Sequence, residues 1–218
     1  MYKTCDTQGR LDAINPQRPG AWGLFLRHAE RFPIESADDV FHAGLTDQGR
    51  RDAHDLGRAL RHLPIAAAIS SPVQRCIDTA RHILEGYGMS TADADARVTT
   101  DDTLLEVFIE NGRLAREEFT RLDPIHAILE HLEGATIPGL RSVKTGAEQL
   151  LHFSLSHLRD NALTLFLTHD SIIMPLRRHW CGTRYSLEKW QPFLSGALIH
   201  QTTDAVTVDG HTAVLTPP

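Results

Sequence analysis

Three short runs of the chain are apolar at almost every position, and each stops on a polar cluster. Residues 21–26 read AWGLFL and end at Arg27-His28; 65–70 read IAAAIS and end at Ser70-Ser71; 163–168 read LTLFLT and end at His169-Asp170. Continuous apolar character over so few residues marks strands covered on both faces, as central strands of a parallel sheet are. Residues 96–100, ARVTT, read as a further strand. Between the runs the hydrophobic spacing turns helical. Ala53, Leu56, Leu60 and Leu63 fall on one face of a helix with Thr46 as its N-cap. Val73, Ile77, Ala80 and Leu84 line a second helix, where Ser71, Pro72 and Gln74 have the form of a capping box with proline at the first helical position. Thr145 and Glu148 form another box ahead of Ala147, Leu151 and Leu158, and His169-Asp170-Ser171 opens a last helix. The tail from 196 to 216 alternates and contains Asp209-Gly210, a hairpin signal.

Strand-helix alternation followed by a hairpin predicts an α/β fold: a three-layer sandwich with a mostly parallel central sheet, an antiparallel edge hairpin, and helices on both faces. Residues 106–144 break the alternation. There Asp123-Pro124 opens a short helix (Ile125, Ile128, Leu132) that Gly134 closes, so the segment reads as a small helical insertion over the site. The expected organisation is a polar, loosely ordered arm over 1–20 and a single α/β domain over 21–218. Sheets of this kind bind ligands beyond the carboxyl ends of their strands. Three of the polar clusters lie at such ends.

Composition narrows the ligand. Lysine and arginine number 22 against 28 acids, a net charge of −6, so no global basic surface invites nucleic acid or anionic membrane. An anion must be held by a local group of arginines. LPIAAAI at 63–69 is too short to span a bilayer, and the first twenty residues lack the apolar core of a secretory signal. Cys5, Cys76 and Cys181 are odd in number and far apart, which fits reduced thiols and a cytoplasmic location. The thirteen histidines include no pair three or four residues apart; His126/His131 and His152/His157, five apart, diverge around a helix. No metal or other cofactor is expected.

The stretch LFLRHAERFP at 24–33 carries the chemistry. It presents the His28 imidazole between Arg27 and Arg31, and like charges disfavour its protonation. A neutral imidazole beside anion-binding arginines has the makings of a nucleophile aimed at phosphate.

LRHAERFP (26–33), LTDQGRRDAHDLGRAL (45–60), SSPVQRCIDTA (70–80) and LTHDS (167–171) follow in the order that resembles the histidine phosphatase superfamily, with its phosphoglycerate mutase-like fold. The resemblance runs from about residue 22 to 180. It implies a phosphohydrolase, or less often a phosphomutase, that works through a phosphohistidine without a metal on a small phosphorylated substrate. Carried over by position, His28 resembles the nucleophile, Arg27 and Arg75 the arginines that grip the phosphoryl oxygens, and His169 the second pocket histidine. Arg31, with Pro33 two residues on, resembles the acid phosphatase and phytase branch. Ala29 departs from the family's usual glycine. Two proton donors are offered: Asp170, as in the acid phosphatase branch, and Glu106 in TLLEVF, as in the mutase-like branch. The short insertion and Arg31 favour a phosphatase over a mutase, and retention of every expected catalytic residue type favours it over a non-catalytic phospho-ligand-binding module. Glu30 reads as a surface acid, Cys76 as packed and unreactive. Glu35, Asp38 and Asp39 in the loop 34–44 suit a hydroxyl-rich or cationic leaving group.

Overall fold

The computed structural model describes residues 5–15, 19–35 and 39–215; the Cys5 side chain and Asp38 lie outside the described residues. In chain order the elements are α1 (Cys5–Ala13), β1 (Ala21–Arg27), α2 (Asp39–His42), α3 (Asp47–Ala59), β2 (Ile65–Ser70), α4 (Gln74–Tyr87), α5 (Thr91–Arg97) and β3 (Val98–Thr100). Then come α6 (Thr103–Glu106), α7 (Gly112–Arg121), α8 (Pro124–Leu132), α9 (Val143–His157), β4 (Leu163–Thr168), α10 (Asp170–Cys181), β5 (Gly196–Gln201), β6 (Val206–Val208) and β7 (His211–Thr212).

The strands form one sheet in the order β3-β2-β4-β1-β5-β6-β7. The first four are parallel; β5, β6 and β7 are antiparallel. Two cores flank it, and strand alternation divides the side chains between them. Trp22, Leu24 and Leu26 of β1 and Leu163, Leu165 and Leu167 of β4 join α1, α3 and α4 on one face. Phe25 and Phe166 point the other way, into a core with α9 and α10. The fold is the α/β arrangement that the run pattern implies. The hairpin turn is confirmed at Asp209 (φ 47°) and Gly210 (φ 82°), the left-handed pair that a two-residue turn demands.

Helix α3 begins where predicted: the Thr46 hydroxyl accepts the Gly49 N–H at 2.9 Å. It also donates to the Glu30 carboxylate at 2.6 Å, so Glu30 is half-buried and pins the strand exit to the helix. Helices α3 and α4 meet through glycines. A Cβ on Gly57 would enter the Ile83 carbonyl, and one on Gly86 the His54 carbonyl.

Three local expectations are corrected. Ser71 does not cap α4: the helix starts at Gln74 with Val73 at the cap position, and the Ser71 hydroxyl is used elsewhere. The core face of α4 runs through Cys76, Ala80, Ile83 and Leu84, while Ile77 is half-buried. Helix α9 starts at Val143, capped by Ser142, whose hydroxyl accepts the Thr145 N–H at 3.1 Å. The described part of the opening arm is also ordered. Leu11 and Ile14 are buried in the core, and Arg10 makes a two-pronged ion pair with Asp209, both contacts 2.7 Å. In the insertion, Asp123 caps α8 as expected, and Arg178 of α10 donates to the Leu132 carbonyl at its end.

Candidate active site

Strands β2, β4 and β1 are neighbours, so their carboxyl ends lie side by side. Arg27 registers with Thr168 and Ser70 with Leu167; the His28 N–H continues the ladder to the Thr168 carbonyl at 2.9 Å. This brings residues 27–28, 70–71 and 168–170 to one edge, and Arg75 joins them from the first turn of α4. The two imidazoles meet: the His28 and His169 ring centroids are 5.6 Å apart, nearly edge to face.

Both rings are buried, and their tautomers follow from their partners. His28 Nδ1 lies 2.8 Å from the Ala29 carbonyl, which can only accept, so Nδ1 carries the proton and Nε2 a bare lone pair. Burial first, then His169, Arg75 and Arg27, hold His28 well below its ordinary value of 6.5. The direction is the one expected from the flanking arginines, but desolvation outweighs their charges as its cause. Ala29 costs the turn nothing visible. Its methyl group sits fully buried in the core, its N–H donates to Thr79, and no positive φ is needed there.

His169 Nδ1 lies 3.2 Å from Arg75 Nη2, a group that can only donate, so this nitrogen accepts and Nε2 carries the proton. Nε2 in turn donates to Ser71 Oγ at 2.9 Å. Burial and the positive charge of Arg75 push His169 down to about 3. Cys76 lies beneath it, fully buried, and burial pushes its thiol up to about 12, so it packs rather than reacts.

The arginines are held by backbone oxygens as much as by side chains. Arg27 donates to the Gln191 carbonyl at 2.5 Å, pairs with Asp170 at 2.7 Å, and lies 4.1 Å above the Phe193 ring. Arg75 donates to the Val40 carbonyl at 2.6 Å, and Arg31 to the Phe32 carbonyl at 2.8 Å. In all three guanidiniums the Nε atom is buried without a hydrogen-bond partner. Burial lowers each of the three pKa values, and Asp170 is the carboxylate that supports the charge. Several positive groups and one carboxylate leave the pocket short of negative charge.

Asp170 is gripped on both oxygens. Oδ2 takes Arg27 and the Trp190 indole N–H, each at 2.7 Å; Oδ1 takes the Ser171 N–H at 2.9 Å. Burial alone would raise its pKa, but Arg27, Trp190, Ser171 and His169 together hold it below the usual carboxylate range. Glu106 stands elsewhere. It is exposed at the end of α6 and lines a shallow depression with Asp102, Arg141, Gln149 and Phe153. The structure thus gathers Arg27, His28, Arg31, Arg75, His169 and Asp170, and sets Glu106 in a different recess. Among the described residues no group of three or more histidine, cysteine, aspartate or glutamate side chains is arranged as metal ligands; no helix there is long and apolar enough to cross a membrane. Sequence reasoning missed Trp190, Phe193 and the carbonyls of Val40 and Gln191.

The model of the histidine phosphatase superfamily (branch 1) matches residues 24–199. Among solved structures, Bacillus stearothermophilus YhfR is similar with a TM-score of 0.56 at 21% identity, covering 88% of this chain and 95% of that one. A phosphoglycerate mutase from Bacillus anthracis is similar at TM-score 0.53 and 16% identity, covering 90% and 92%. A mycobacterial glucosyl-3-phosphoglycerate phosphatase is similar at TM-score 0.53 and 17% identity, covering 92% and 100%. At these identities the likeness concerns the fold. No curated protein matches this chain.

Proposed function

The chain belongs to the histidine phosphatase superfamily, and on that premise we propose that it hydrolyses small phosphomonoesters through a phosphohistidine formed on His28. The observation that carries this reading is the His28 tautomer. A buried neutral ring with its proton tied to the Ala29 carbonyl leaves Nε2 free to attack, beside three guanidiniums whose Nε donors lack partners.

The chemistry needs positioning and charge more than anything else. Arg27, Arg31 and Arg75 bind the phosphoryl oxygens, and His169 aims Arg75 by accepting from its Nη2. His28 Nε2 attacks phosphorus as the ester P–O bond breaks, and Asp170 gives its proton to the departing alkoxide. The Asp170 carboxylate then takes a proton from water. That water attacks the phosphohistidine, the P–N bond breaks, inorganic phosphate leaves, and the Nε2 lone pair returns.

Arg27 helps hold Asp170 as the carboxylate. A substrate dianion that engages Arg27 withdraws this support and sets like charge beside the carboxylate, which raises its pKa. The acid is thereby made on substrate arrival. Position favours Asp170 over Glu106 for this role, since Glu106 is exposed in a separate recess.

The test uses an aryl phosphate labelled in its phosphoryl group. Rapid alkaline quenching should trap label on the protein in a base-stable, acid-labile form, and His28→Ala should abolish both trapping and phosphate release. Turnover without any trapped label in the wild-type protein would overturn the reading. Isomerised product in place of inorganic phosphate would convert it to a mutase.

A further inference from the structure

The mouth of the pocket has a character that phosphate chemistry does not call for. Phe32, Ile34, Val40 and Phe41 are all exposed, the two phenylalanines at 55% each. They belong to one stretch that meets the pocket at both ends. Arg31 immediately precedes Phe32 and bonds its carbonyl, and the Val40 carbonyl holds Arg75. Leu187, exposed at 62%, lies in the segment after α10 that sends Trp190 to Asp170 and the Gln191 carbonyl to Arg27. Among the described residues two other large hydrophobics are as exposed, Ile125 and Val214, and neither belongs to these stretches. Single exposed apolar residues are ordinary; a cluster beside a ligand pocket marks a surface that something covers.

Of the three carboxylates expected to read a hydroxyl-rich or cationic leaving group, Asp39 accepts the Glu35 N–H at 3.1 Å, Glu35 itself is exposed, and Asp38 lies outside the described residues. Beside exposed polar side chains at Glu35, His42, Glu188 and Lys189, these stretches present hydrocarbon at Phe32, Ile34, Val40, Phe41 and Leu187. We propose that this rim binds the body of the leaving group, so that the substrates are phosphomonoesters carrying an alkyl or aryl portion in preference to polyhydroxylated ones. The inference rests on the phosphatase reading above and specifies its substrate class.

Two parallel series test it: binding of n-alkylphosphonates from methyl to hexyl by calorimetry, and hydrolysis of the matching alkyl phosphates, both on the full chain. Full burial of a methylene strengthens binding about fourfold, and a rim open on one side should give about twofold, so hexyl should bind roughly thirtyfold tighter than methyl. The hexyl-to-methyl ratio should collapse in the Phe32→Ser/Phe41→Ser double variant and persist in Ile125→Ser. Because the ratio is taken within each protein, partial loss of fold does not imitate the effect. A flat series overturns the proposal, as does tighter binding of a glycerol or sugar phosphonate than of hexylphosphonate. So does a slope indifferent to the double variant; a rim covered by a protein or a second copy would give that result or the flat series. A rising binding series with no hydrolysis anywhere would sink the phosphatase reading and leave the apolar ligand class standing.

Discussion

The Asp170 carboxylate lies 2.7 Å from Arg27 Nη2, across the tips of two adjacent parallel strands. This pair occupies one arm of the fork that would hold phosphate, so removal of the carboxylate has two opposite consequences. Asp170→Asn should bind inorganic phosphate more tightly, roughly tenfold, because one negative charge beside the dianion is gone. It should also slow hydrolysis of an alkyl phosphate by about 10²–10⁴, while an aryl phosphate with a good leaving group loses far less. Calorimetry and a leaving-group series check both. Glu106→Gln should leave both nearly unchanged.

Acid should destabilise the protein sooner than its carboxylates alone would dictate. His28 and His169 are held below their ordinary value chiefly by burial, His169 at about 3. Between pH 6.5 and those values the unfolded chain binds protons that the folded one refuses, so stability falls as pH falls. His169 removes about 1.4 kcal/mol per pH unit, or about 2 kcal/mol by pH 5, and His28 adds a loss of the same sign. Asp170 and Asp209, held low in the fold, add their loss only as pH approaches and passes below the usual carboxylate value. Urea midpoints at pH 7.5 and 5.0 should show this drop, and the share owed to His169 should be absent in His169→Asn.

The arginine pocket is braced from a distance. Asp209 takes Arg10 from α1 and Arg177 from α10; Arg177 contacts the Gln191 side chain at 3.2 Å, and the Gln191 carbonyl holds Arg27. Asp209→Asn preserves the left-handed turn, which asparagine tolerates, and removes only the charge. Two largely buried arginines then lose their shared partner, at a cost of about 3 kcal/mol. Stability should drop by that order in denaturant titration, and kcat/KM should fall with the aim of Arg27. Restoring fold with a stabilising osmolyte would separate the two effects.

Helices α3 and α4 tolerate no side chain where their glycines touch. Gly57→Ala sets a methyl group inside the Ile83 carbonyl, so the helices must part. The expected loss is about 3 kcal/mol, at the upper end for overpacking, since backbone is what must move. Arg75 rides on the first turn of α4, so weaker phosphate binding should accompany the lower midpoint. Gly88→Ala, with φ of 122° but open space around it, should lose stability through backbone strain and leave the helix pair intact.

What the chain revealed in advance follows from where information is stored. Arg27, His28, His169 and Asp170 stand at or just past the ends of apolar runs, where one rule about strand ends points; Arg75, inside the helix that follows Ser70, comes only with the family resemblance. Trp190 and the carbonyls of Val40 and Gln191 escaped because a backbone oxygen has no residue type to recognise, and an indole in a loop carries no period. Ser71 was misread for a reason of the same kind: a serine before a helix caps it or bonds something else, and only the position of His169 decides. Ser142 and Thr145 are three residues apart and both suit an N-cap, so spacing alone could not choose. In the opening arm the anchors are two apolar side chains and an ion pair with residue 209, too sparse for a pattern.

Strand β4 lies between β2 and β1, although it is made after both. During synthesis the first two strands therefore wait with unsatisfied edges until residues 163–168 have emerged and slotted between them. Such a late, long-range insertion is slow and leaves apolar edges available to neighbouring chains. Until that moment the newborn protein has no centre, and the ends of β1 and β2 have nothing to hold them side by side.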